Sequence, residues 1–161
     1  MNLQNLNNFA SAGKIKKESF TLDSLIKRFE FASKRISTSE KLLKNNNYDD
    51  EEVYITAYSE LYSSFRILCE IMLALYGYRI AGGKGHHEAA ISTIRLTLED
   101  DKMDPVYLRL IKIGRKRSGM EYGSKFDISS IEIEQMLNDV KLILKKVGSE
   151  IETKKDSKDF K

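Results

Sequence analysis

At 161 residues and 41% hydrophobic, the chain has the length of one domain and enough apolar residues to bury a core without disulfides or metals. Its one cysteine, Cys69, excludes an internal disulfide and suits a reducing compartment, and no Cys/His pattern has zinc spacing, so neither a metal nor a cofactor is expected. A formal charge of +3 is too mild to establish nucleic-acid binding by itself, and the longest apolar stretch, around Ile67 to Tyr78, is interrupted by Glu70 and falls far short of the roughly 20 residues that cross a bilayer.

The first twenty residues read as an N-terminal segment, partly ordered or strapped on the bundle. They lack an apolar stretch of signal-peptide length, and their basic residues follow the hydrophobic ones, so the expectation is a soluble cytoplasmic protein without membrane contact. Proline occurs once, which lets long helices run uninterrupted. The spacing of Leu25, Ile26, Phe29, Ala32, Ile36 and Leu43 predicts a first helix from about Thr21 to Asn45. A second begins at Asp49 or Asp50, whose carboxylates suit a helix start, and runs to about Tyr78. Its apolar face, growing nearly all-round towards the end, marks it as the core helix.

A glycine-rich loop, Gly82-Gly83-Lys84-Gly85, leads into a short third helix from His86 or His87 to Leu98. Asp104-Pro105 is a strong start for a fourth, expected to reach Tyr122 and Gly123. Ser129 with Glu132 fits a capping box for the last helix, whose buried stripe is Ile133, Met136, Leu137, Val140, Ile143 and Val147. Residues 152–161 read as a frayed polar tail. The fold class is therefore all-α: an up-and-down bundle of four long helices plus one short crossing helix, over 21–151.

Charge is unevenly placed along this frame. Acids gather at 49–52 and 99–101, while 105–120 holds five cations, Arg109, Lys112, Arg115, Lys116 and Arg117, and no acid. Arg109, Lys112 and Lys116, spaced three and four apart, form a stripe that suits phosphates, with Tyr107 and Tyr122 available to stack on unpaired bases. The plainer readings are a solvated helix face, and acids that start helices while bases end them. The loop around Lys84 invites an anion-binding reading through its glycine amides, but it lacks Walker spacing, and a flexible turn is the better reading.

The succession Gly77-Tyr78-Arg79, then Gly85-His86-His87-Glu88, then Arg115-Lys116-Arg117-Ser118 with Glu121-Tyr122, resembles helical domains of the HEPN superfamily, over roughly residues 21 to 150. The nearest pattern is that of an uncharacterised bacterial branch reading GYR, G-HH and R-x-R-N-x-x-x-Y. The resemblance implies a HEPN-like bundle, a homodimer with the polar motif of its penultimate long helix in a cleft at the interface, and a toxin–antitoxin or defence setting with a cognate antitoxin or other protein partner. Many relatives cut RNA without metal, using an arginine followed after four to six residues by histidine. Carried over, Arg117 is the motif arginine and Tyr122 stands where catalytic members place histidine; Ser118 stands where the branch has asparagine.

Cleavage through a 2′-hydroxyl needs a proton carrier near neutral pH and a cation for the charge developing on phosphorus oxygens. Arginine meets the second need. Tyrosine, with a reference pKa near 10, is about a thousandth ionised at pH 7, a handicap of roughly 4 kcal/mol. Tyr122 therefore reads as structural or binding ahead of catalytic. His86 and His87 are the remaining candidates for the base, against which stands a plain helix-start role.

The reading is an RNA- or nucleotide-binding protein, with Arg79, Lys84, Arg109, Lys112, Arg115 and Lys116 as nucleic-acid contacts. Two alternatives stay open. One is a metal-independent endoribonuclease using Arg117 with His86, His87 or Tyr122; the other is a protein-interaction bundle with no nucleic acid.

Overall fold

A computed structural model of the protein describes residues 3–45, 50–82, 86–98, 100–121 and 128–157. These residues form an all-α helical bundle with one two-stranded sheet. In chain order the elements are α1 (Leu3–Ser11), β1 (Ile15–Lys17), α2 (Leu22–Asn45), α3 (Glu51–Leu75), β2 (Tyr78–Ile80), α4 (His86–Thr97), a single 3₁₀ turn at Asp101–Met103, α5 (Asp104–Glu121) and α6 (Ser130–Asp156). Among the described residues no helix is long and apolar enough to cross a membrane.

α3 is the axis of the bundle. Asp50 caps it, its carboxylate accepting the Glu52 amide at 3.0 Å. Beyond its first two turns α3 is buried on almost every side, with Ala57, Leu61, Phe65, Leu68, Cys69 and Met72 all inaccessible to solvent. A helix apolar around its circumference needs neighbours on all sides, and α2, α4 and α6 supply them. α2 lays Leu25, Ala32, Ile36 and Leu43 against it, spaced seven, four and seven. Two charged clusters edge the α2–α3 seam: Arg28 and Arg66 share the Glu70 carboxylate, and Arg35 grips Glu60 through two hydrogen bonds of 2.6 and 2.9 Å.

The end of α3 is set by Gly77, whose φ of +77° belongs to the left-handed region that L side chains avoid. Its amide bonds back to the Ala74 carbonyl at 2.9 Å, and the chain reverses into β2. β2 pairs antiparallel with β1, Ile15 opposite Ile80, Lys16 opposite Arg79 and Lys17 opposite Tyr78. A small second core of Leu6, Ile15, Leu73 and Tyr78 fastens α1 and this ribbon to the bundle. The strands carry no alternating signal in sequence because three residues are too few to show a period.

At the other end of the chain, Ser129 and Glu132 complete the expected capping box of α6. α6 continues through Asp156, past the point where fraying is expected from composition. Burial of Ile151 and the stacking of the Lys154 ammonium on the Tyr76 ring, 5.6 Å from its centre, carry the helix on.

α4 and α5 run antiparallel, held by two contacts. The Tyr107 hydroxyl donates to the Leu98 carbonyl at 3.1 Å, and Gly114 lies so close to α3 and α4 that a methyl there would stand 3.1 Å from the Tyr62 ring and 3.2 Å from Ile91 Cδ1. Gly114→Ala tests this close approach. Helix propensity favours alanine by about 1 kcal/mol, but overpacking of two core side chains costs about 1–3 kcal/mol. The expected outcome in urea denaturation is a net loss of about 1 kcal/mol; a variant more stable than the parent would refute the packing.

Candidate nucleic-acid interface

The five cations of α5 divide by their register on the helix. The core-facing row is Val106, Tyr107, Leu110 and Ile113, and the Tyr58 hydroxyl of α3 donates to the Ile113 carbonyl at 2.9 Å. Arg109 and Lys116, seven apart, lie along the seam with α6. Lys112 is exposed and makes no ion pair with a described residue, whereas Leu108 is 57% exposed on the outward row. The side chains of Arg115, Arg117, His86 and His87, and the whole of Tyr122 and Lys84, lie outside the described residues.

Two members of the predicted stripe are matched by carboxylates. Arg109 holds Asp139 of α6 through two hydrogen bonds, both of 2.7 Å, and Gln135 adds a third to the same carboxylate at 3.0 Å. Asp139 is 1% exposed, so its charge depends on these donors. In return its hydrogen bond and charge raise the Arg109 pKa above the ordinary value. Lys116 donates to Glu132 at 2.7 Å; that hydrogen bond, then the Ser129 amide, holds the Glu132 carboxyl below the usual range. Arg79, on β2, is in ion-pair contact with Glu18. The phosphate-facing reading of these three cations therefore competes with an observed structural partner for each.

Tyr107 is a correction. It was expected to offer its ring to bases, but it is fully buried, its hydroxyl bonded to Leu98, and burial, followed by the charges of Asp100 and Asp104, pushes its pKa up to about 12. Its ring belongs to the core. The Cys69 thiol is likewise buried and pushed well up by desolvation, which fits packing and not nucleophilic chemistry. Among the described residues no group of three or more His, Cys, Asp or Glu side chains is arranged to hold a metal.

The Leu98–Tyr107 and Ile91–Gly114 contacts lie seven residues apart on each helix, which gives α4 and α5 one antiparallel register. The start of α6 meets α5 through Lys116 and Glu132. A polar hollow lined by Tyr76, Thr97, Asp100, Lys146 and Glu150 lies at the opposite end of α5, where Lys146 is paired with Asp100.

Asp139 is the residue that sequence reasoning missed. Its signal was an acid inside the buried row between Met136 and Val140, which implies a cation on a facing helix.

Compared with known proteins, the chain matches no family model, no curated protein and no solved structure.

Glu132 yields a pH test. Its folded pKa is lowered, so its contribution is present above the unfolded value near 4.3 and is lost as pH falls through the folded one. Glu132→Gln should therefore melt at a lower temperature than the parent near pH 7, with the gap closing near pH 3. A gap that persists undiminished in acid would contradict the assigned role.

Proposed function

We propose that the protein is a HEPN-like bundle, four long helices up and down with one short crossing helix, that binds RNA or a nucleotide-bearing partner at the meeting point of α4 and α5. What supports this reading is the antiparallel register of α4 and α5, which, continued by one turn past Ile91 and Gly114, runs from the start of α4 towards the basic end of α5. Helix amides and cations arranged together favour phosphate. The resemblance adds a homodimer, acting in a toxin–antitoxin or defence setting with a cognate antitoxin.

Binding is favoured over cutting because neither an arginine nor a tyrosine of ordinary pKa is a good base at neutral pH. The same register supports a second reading, a metal-independent endoribonuclease with His86 or His87 as acid and base and Arg117 stabilising the phosphorane.

Labelled single-stranded RNA, titrated at low and moderate salt in EDTA, separates these readings. Wild-type protein should bind with steep salt dependence, and a variant combining Lys112→Gln, Arg115→Gln and Arg117→Ala should bind about tenfold or more weakly. Degradation abolished by His86→Ala or His87→Ala would establish the ribonuclease. Indifference to RNA at low salt would refute both and leave a bundle that meets other proteins.

A further inference from the structure

The start of the chain carries an excess of positive charge equal to the net charge of the whole. The protein has 27 basic and 24 acidic residues, and residues 1–17 contain three lysines, Lys14, Lys16 and Lys17, and no acid, so residues 18–161 carry 24 of each sign. All three lysines are exposed and none makes an ion pair with a described residue, in contrast to Arg109, Lys116 and Lys146, which all do. They are held on a defined frame: Ile15 is buried between them, β1 is paired with β2, and the Ala81 amide donates to the Lys14 carbonyl at 3.0 Å.

The frame places like charges together. Lys16 stands directly opposite Arg79 in the antiparallel ribbon, so both side chains leave from one face, an arrangement that destabilises a sheet unless something negative offsets it. Glu18 engages Arg79 but not the lysines. Among the described residues, none of the exposed large hydrophobic side chains lies on α1 or the ribbon, so nothing described there supplies the apolar anchor of a membrane-binding face. Lysines on a strand, flanked by the amide-rich helix α1 with Asn7 and Asn8 exposed, suit a phosphate backbone read without sequence preference.

We propose that the β1–β2 ribbon is a second phosphate-contacting surface, on which Lys14, Lys16 and Lys17 hold the backbone of a single-stranded RNA whose other contacts are at the α4–α5 end. The inference rests on the RNA reading given above. Continuity of the chain supports one ligand touching both places: from Ile80 to His86 is six residues, which span at most about 21 Å.

The test compares wild type, the variant Lys14→Gln/Lys16→Gln/Lys17→Gln, and the α5 variant of the preceding section, titrating labelled single-stranded RNA across a salt series. The ribbon variant should bind about tenfold or more weakly at low salt. Its slope of log affinity against log salt should be shallower by about 2, three phosphate contacts at about 0.7 each. Its melting temperature should be unchanged or slightly raised, since a like-charge pair is removed. An unaltered slope in the ribbon variant, with weaker binding in the α5 variant, would overturn the ribbon surface and leave the α4–α5 reading standing. Loss confined to the ribbon variant would support the ribbon and overturn the α4–α5 reading. Failure of the wild type to bind RNA would remove both, and RNA-independent capture of phosphatidylserine-rich vesicles through the three lysines would overturn the choice of ligand.

Discussion

A buried carboxylate on α6 governs how the basic helix can be used. Asp139, almost wholly out of water, accepts two parallel hydrogen bonds from Arg109 and a third from Gln135. Seven residues further along α5, and seven back along α6, Lys116 meets Glu132 at the α6 cap. The two pairs fix α5 in height and rotation against α6. Rotation in turn decides which cations remain for a ligand: Arg109 and Lys116 are spent on the seam, and Lys112 is left outside it.

The same constraint reaches α4. With α5 held by α6 on one side and by Tyr58 of α3 beneath, the close passage at Gly114 sets its spacing from α4, and Tyr107 sets its height. The placing of α4 beside α5 is thus a consequence of packing along both antiparallel seams. The ribbon is joined to this assembly differently, through the small apolar core around Leu73 and Tyr78. Its lysines at 14, 16 and 17 make no ion pair with a described residue, whereas Arg79 is paired with Glu18.

Much of the helical frame was legible in the sequence. The Asp50 cap, the Ser129–Glu132 box, the Asp104-Pro105 start and the seven-and-four spacing on α2 are local signals whose physics does not depend on distant partners. The strands were not legible, since their three residues pair only because Gly77 turns the chain back beside β1. The ion-pair partners of the basic helix were not legible. A cationic stripe in sequence looks alike whether it faces phosphate or carboxylate, and Asp139 lies thirty residues from Arg109. Tyr107 misled for a related reason: an aromatic residue beside basic ones resembles a stacking platform until the neighbouring helix covers it.

The central claim is that the half-exposed Arg109 and the buried Asp139 act as an energetically coupled pair that seats α5. A double-mutant cycle of Arg109→Ala, Asp139→Ala and the combined variant, followed by urea denaturation, measures it directly. Coupling of at least about 1.5 kcal/mol is expected for a pair with one member fully desolvated. Coupling below about 0.5 kcal/mol, the level of an exposed surface pair, would contradict the account.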